Sequence, residues 1–363
     1  MTEQAEQQVN LAQYLTYSVQ SRTIQQGVYK GERKNRRKGI HHVELLTADG
    51  IYLLDKSERY HRINDFDAED LLGRMQAFGR EYAARSLPVP HSAPLTPKTQ
   101  ALQVNADLAL KFMLYNTVLD SGKSPQKLAK KAKISDYKLE KVLSFDRRSS
   151  LQRIIDVFRA CGKDLKICCT VKEEKQLYLS DYLTYPMDHV FRPEEPCMTV
   201  LFYSYDQTSF DLEYDIPNCC TLREARSAVR PKLIEYFNEC IAEGWNIQYA
   251  CRPVDDDCDI KFMPVRIKAD MAMRILLHNA MLDAKVDFKE LAQRMHKTLF
   301  ETVRMCCLHE PLSMNDMLKA FEAIGCPLEV SLVAKGEAEV KRTKADLDKA
   351  VDSLFECEDN YWY

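Results

Sequence analysis

Residues 105–167 occur twice in this chain. Laid over 268–330 at a constant offset of 163, the stretch needs no gap across 63 positions. Ala106/Ala269, Asp107/Asp270, Ala109/Ala272, Leu114/Leu277, Asn116/Asn279, Leu119/Leu282 and Asp120/Asp283 are identical in its first helical part. Leu128/Leu291, Ala129/Ala292, Ser150/Ser313, Phe158/Phe321, Ala160/Ala323, Gly162/Gly325 and Leu165/Leu328 follow. Most of these positions are apolar, as a shared core requires, so the stretch reads as one module duplicated. The repeat extends upstream, because Tyr14-Leu15-Thr16-Tyr17 recurs as Tyr182-Leu183-Thr184-Tyr185 at an offset of 168. Two similar units are expected, one over about 11–172 and one over about 179–335.

At 363 residues the chain is long enough for several small cores. No apolar run reaches the roughly 18 residues a membrane helix needs, and the first residues do not resemble a signal peptide. A soluble, cytoplasmic protein with no membrane partner is therefore expected. The thirteen cysteines fall singly or as adjacent pairs, with no Cys-x-x-Cys spacing. They read as reduced, small hydrophobic side chains rather than a metal site. Glycine-rich phosphate loops and nucleophile elbows are missing too, so the expectation is no cofactor and no enzyme. Charge is divided unevenly: residues 1–172 hold 29 Lys and Arg against 19 Asp and Glu, leaving 22 against 35 for the rest. A basic half joined to an acidic half suggests that one of them meets a polyanion.

The fold class expected is α+β, with each unit a small α/β domain followed by a helix-turn-helix domain. The first α+β domain, 11–86, is a worn copy with strands at 43–46 and 51–54 and a helix from about Ala68 to Ala84. Four prolines make 87–100 an extended linker to the rear domain, 101–172. The second α+β domain, 179–262, shows strands at 198–204 and 210–216. Thr221 and Glu224 then form a capping box, opening a helix through Ala225, Ala228, Leu233, Phe237 and Ile241 to Gly244. A third strand is expected at 247–250. The second rear domain, 263–335, is degenerate, and 336–363 reads as a charged C-terminal helix with an acidic aromatic tail.

In the first rear domain Ser124, Leu128-Ala129, Ile134-Ser135, Leu139 and Val142-Leu143 fall at the spacing of a helix-turn-helix. Asn105, Ser124 followed by Pro125, Ser135 and Ser150 stand where helix caps belong, and Gly122 and Gly162 stand at stops. The expected DNA-binding set is Ser124, Lys127, Lys130, Lys131, Ser135, Asp136, Tyr137, Lys138, Lys141, Arg147 and Arg148, with Lys123 and Lys133 along the approach. Clustered cations suit phosphate contact, the sequence-independent part of DNA affinity. The plainer reading of the same residues is a small helical bundle with a solvated lysine-rich face. The twin over 268–330 keeps the core but has 8 basic and 9 acidic residues, against 14 and 7 in 105–167. It reads as a structural or pairing element.

The strand pair ending Asp215-Ile216-Pro217, the helix opening Thr221-Leu222-Arg223-Glu224-Ala225, and Ala272-Met273-Arg274-Ile275-Leu276-Leu277-His278-Asn279 resemble the HicB antitoxins. Ala109-Leu110-Lys111-Phe112-Met113-Leu114-Tyr115-Asn116 and Gly162-Lys163-Asp164-Leu165 carry the same resemblance in the first unit. It implies a partial ribonuclease-H-like front domain that caps a small RNA-cleaving toxin, and a rear domain that dimerises and represses its operon. Double-stranded DNA, a small basic toxin-like protein and a second copy of the chain are the partners it suggests. The chain departs from that family in being a tandem fusion. The function expected is a DNA-binding transcriptional regulator; the alternative is an adaptor that neutralises a small basic toxin or nuclease without reading DNA. Lys30, Arg33, Lys34, Arg36, Arg37 and Lys38 form either an arm following nucleic-acid backbone or a solvated loop. Asp211, Glu213 and Asp215 on one strand leave a metal-dependent nuclease as a third class.

Overall fold

Helix ends in this chain are written by short polar residues and by the left-handed backbone that stops them. The computed structural model describes residues 9–24, 40–57, 68–172, 175–192, 197–202, 212–217, 219, 221–248 and 263–338. It is a mixture of helices and small antiparallel sheets that divides into two compact units. The first is 1–165 with Ser313–Asn315 and Glu329–Lys335; the second is 166–312, 316–328 and the remainder. The sequence repeat places its first unit over 11–172, whereas two short segments of the downstream copy fall in this one. No described helix is long and apolar enough to cross a membrane.

In the first unit a short helix α1 (Ala12–Leu15) leads into β1 (Thr16–Ile24), β2 (Ile40–Thr47) and β3 (Gly50–Ser57). Helix α2 (Ala68–Ala84) and strand β4 (Gln100–Gln103) complete a sheet of order β3-β2-β1-β4. Phe78 of α2 meets Tyr17 and Tyr52 of the sheet edge-on, at ring separations of 6.0 and 4.8 Å, and also Phe112 at 6.1 Å. These T-shaped contacts are the favoured geometry for aromatic rings and join sheet to rear helices. Gly79 lies beside Phe78 because an added Cβ would stand 2.5 Å from the Phe112 ring. The rear helices are α3 (Ala106–Asp120), α4 (Pro125–Ala132), α5 (Asp136–Leu143) and α6 (Leu151–Cys161).

Strand β5 (Lys163–Thr170) follows, and its downstream residues pair with β6 (Gln176–Tyr178) in the second unit. A 3-10 turn, Leu179–Tyr182, then leads to β7 (Thr184–Arg192), β8 (Cys197–Phe202) and β9 (Leu212–Pro217). Helix α7 (Leu222–Glu243) and β10 (Met263–Arg266) close a sheet of order β10-β7-β8-β9. Both halves of the expected capping box form: Thr221 accepts from the Glu224 N–H, and the Glu224 carboxylate accepts from the Thr221 N–H. The buried face of α7 is Ala225, Val229, Leu233, Phe237 and Cys240, whereas Ala228 is exposed and Ile241 only half-buried. Five evenly wound positions make a straighter seam than the pattern through 228 and 241. Helices α8 (Ala269–Ala284), α9 (Phe288–Arg294), α10 (Leu299–Cys306), α11 (Met314–Ala323) and strand β11 (Leu328–Ala334) are the remaining elements among the described residues.

The repeated tyrosines and asparagines account for one hydrogen-bond set that occurs in both units. Asn116 Nδ2 donates to the Val89 carbonyl (2.8 Å) and Tyr14 Oη (3.0 Å), while its Oδ1 accepts from the Val89 N–H (2.8 Å). In the second unit Asn279 Nδ2 donates to the Ile247 carbonyl (2.6 Å) and Tyr182 Oη (2.9 Å), and Oδ1 accepts from the Ile247 N–H (3.0 Å). Tyr17 Oη donates to Pro90, and Tyr185 Oη to Gln248, one residue beyond each clasped position. Leu15 and Leu183, between the tyrosines, accept from the N–H groups of Val104 and Ile267. The third strand expected at 247–250 is thereby corrected at Ile247 and Gln248; 249–250 lie outside the described residues. Residues 245–248 are irregular, because an asparagine side chain takes both backbone groups of Ile247 that a ladder would use.

Candidate nucleic-acid interface

Helices α4 and α5 are separated by Lys133-Ile134-Ser135, the turn length of a helix-turn-helix. Lys133 takes the left-handed conformation (φ 56°), and the Ile134 N–H reaches back to the Ala129 carbonyl at 3.0 Å, closing α4. Ser135 accepts from the Lys138 N–H and caps α5. Leu128, Ala129, Ala132, Leu139 and Val142 are buried, so each helix is held by one face, while Ile134 is half-buried.

The opposite faces are exposed. Ser124, Lys127, Lys130, Lys131, Ser135, Asp136, Tyr137, Lys138, Arg147 and Arg148 all reach solvent, and Lys141 is half-buried. Lys141 Nζ stands 4.2 Å above the centre of the Tyr137 ring, itself 62% exposed. Lys141 first, and then Arg147, hold the Tyr137 phenol below its ordinary value. One aromatic ring and two cations thus meet at the open side of α5, the combination that stacks and neutralises nucleic acid. Two acids of α5 are exposed: Asp136 stands in the first turn, where the helix dipole favours a negative charge, and Glu140 lies further along the helix. Among the described residues, none of Lys127, Lys130, Lys131, Lys138, Arg147 and Arg148 takes part in an ion pair. Asp146, beside the two arginines, is taken by Arg80.

Two cations do other work. Lys123, expected along the DNA approach, donates from Nζ to the carbonyls of Ala160 (2.9 Å) and Cys161 (2.7 Å) and closes the end of α6. Lys111 is a buried lysine in the middle of α3, and its Nζ donates to the carbonyls of Val142 (3.0 Å) and Ser144 and to Ser149 Oγ (3.2 Å). Burial lowers its pKa to about 8. Arg274, at the matching repeat position, donates to the carbonyls of Met305 (2.9 Å) and Glu310 (2.7 Å) and so holds the end of α10. Orphan carbonyls at a helix end need such partners. The repeat alignment sets Lys111 opposite Arg274, and a cation at both places was the signal available.

Lys111→Arg is expected to stay within about 1 kcal/mol of the parent, since a guanidinium performs this role at 274. Lys111→Ala leaves the carbonyls unpaired and opens a cavity, so a loss of about 2–4 kcal/mol is expected in urea unfolding.

The matching surface of the second unit is different. Arg294 pairs with Glu290, Lys297 with Asp316 and Arg304 with Glu310. Where Tyr137 stands in α5, α10 carries Phe300, 74% exposed, flanked by exposed Leu299 and Val303.

The remaining candidates are scattered. Lys30, Arg33, Lys34, Arg36, Arg37, Lys38 and Asp211 lie outside the described residues, as do the turn at 205–207 and the tail from 339 onward. Glu213 and Asp215 are exposed on β9, and the Asp215 carboxylate accepts from Thr199 Oγ1 at 2.6 Å. Among the described residues no three His, Cys, Asp or Glu side chains are grouped to hold a metal ion. Every described cysteine is a free thiol; burial pushes those of Cys169 and Cys306 up to about 12. Comparison of the chain with protein-family models and with curated proteins gives no match.

Proposed function

We propose that this protein is a cytoplasmic DNA-binding transcriptional regulator, built as two tandem HicB-like units, that reads duplex DNA through α4 and α5. The observation that carries this reading is the set of cations around α5, none of them in an ion pair among the described residues, set beside the second unit, where acids or neutral residues replace most of them and Arg294, Lys297 and Arg304 are each in an ion pair. A solvated lysine-rich face has no need of an exposed tyrosine under a lysine, whereas a groove-binding helix uses both. The test is a mobility-shift titration with duplex DNA across salt concentrations. Log affinity should fall with log salt at a slope of roughly −0.9 per phosphate contacted, so about five contacts cost orders of magnitude between 50 and 200 mM. No shift at about 50 mM salt would end the proposal.

The apolar face of α10 supports a second element of the reading, in which two copies of the chain pair. With one cationic reading face per chain, an operator of two half-sites requires a second copy. Leu299, Phe300 and Val303 give that copy an apolar anchor. Phe300→Glu is expected to convert a dimer into a monomer by light scattering without lowering the melting temperature. An unchanged mass would remove the pairing role. The acidic balance after residue 172 supports the alternative adaptor reading, in which the chain clasps a small basic toxin or nuclease. Co-purification of such a partner without any DNA shift would select it.

A further inference from the structure

The second unit carries an arginine cluster that the DNA-reading proposal does not use. Helix α7 buries Ala225, Val229 and Leu233, turns Arg226 and Ser227 outward and leaves Arg230 half-buried. The i, i+4 spacing sets the two arginines one turn apart on the same face. Edge strand β10 alternates, with Val265 inward and Arg266 outward. Arg226, Ser227, Arg230, Pro264, Val265 and Arg266 line one cleft of about 540 Å³. No ion pair occupies any of the three arginines among the described residues, although acids outnumber bases 35 to 22 after residue 172.

Three like charges lining one cleft give it a positive potential, which favours an anion there. Guanidinium is the group for that task, since its planar fork gives paired hydrogen bonds to the oxygens of a phosphate. The Ser227 hydroxyl adds a neutral donor. The volume falls within the range of small-ligand sites, large enough for a nucleotide or for one to two nucleotides of a strand.

We propose that the cleft between α7 and β10 binds phosphate groups, supplied either by a free nucleotide or by the backbone of a single strand. It is a second site, independent of the α4–α5 surface. The test uses the full chain carrying Lys138→Glu and Lys141→Glu, so that binding at α5 does not contribute. Fluorescence anisotropy is measured with a labelled nucleoside triphosphate and with a labelled eight-nucleotide single-stranded RNA, at about 100 mM salt. Saturable binding of at least one probe is expected, weakened at least tenfold by Arg226→Gln with Arg230→Gln, and again by Arg266→Gln. Retention of both probes assigns a nucleotide site; retention of the strand alone assigns backbone. The control, Arg223→Gln with Lys232→Gln, alters two exposed cations on α7 that do not line the cleft and should change affinity less than twofold. Equal loss in the control, or no saturable binding of either probe, overturns the proposal. All variants are to keep the parent melting temperature.

Discussion

Lys138→Glu with Lys141→Glu is expected to lower affinity for duplex DNA at least about 100-fold at 0.1 M salt, with little change in stability. Each phosphate contact releases condensed counterions, which is worth about tenfold in affinity between 1 M and 0.1 M salt. Two contacts removed therefore give about two decades, and the glutamates add repulsion. The slope of log affinity against log salt should become shallower by about two contacts. Neither lysine is buried: Lys138 is exposed, and half-buried Lys141 has its ammonium over the exposed Tyr137 ring. A control with the same change in net charge is Lys289→Glu with Lys319→Glu, two exposed residues of the second unit. The control is expected to bind within about threefold of the parent, because neither lysine belongs to α4 or α5. Equal affinities for the two double variants would remove α5 as the reading helix.

What could be read in the sequence was whatever is decided locally. Helix α2 has the expected bounds of Ala68 and Ala84, and Thr221, Ser135 and Asn105 each cap the helix they precede. Such signals involve residues only two or three positions apart. Strands β1, β7 and β10 were not legible. In β1, Tyr17, Ser18 and Val19 are all buried, so the alternation that marks a half-solvated strand is lost. Ile247 looked like a strand because it is apolar and buried, and the Asn279 side chain that clasps it lies 32 residues away. At the candidate interface, the outward residues followed from helix period, but the division of labour among cations did not. Lys111, Lys123, Lys138 and Lys141 are alike as letters. The first two are spent on carbonyls 31 to 38 residues distant, and only the fold brings those carbonyls into reach.

The clasp made by Asn116 is where the first unit should be most sensitive to a single change. Its side chain ties Val89, in the proline-rich linker, and Tyr14, just before β1, to the middle of α3. It thereby fixes the rear helices against the front sheet. Asn116→Ala leaves the N–H and carbonyl of Val89 and the Tyr14 hydroxyl without this partner in a buried place, at about 1–3 kcal/mol for each group left unsatisfied. Such losses are not additive, and a total of about 3–5 kcal/mol is expected, a large share of the stability of a domain of this size. Tyr14→Phe removes one bond only and should cost about 1 kcal/mol. Asn116→Asp is the sharper variant, because it keeps shape and volume. Its carboxylate still accepts from the Val89 N–H, but a second oxygen now faces the Val89 carbonyl, where the amide had donated. At neutral pH it should destabilise at least as much as alanine, since repulsion and a buried charge replace a missing bond. Urea unfolding of the variants measures these differences. Should Asn116→Asp fall within about 1 kcal/mol of the parent, the clasp does not hold the two pieces together, and packing alone, led by Phe78 and Phe112, would have to do so.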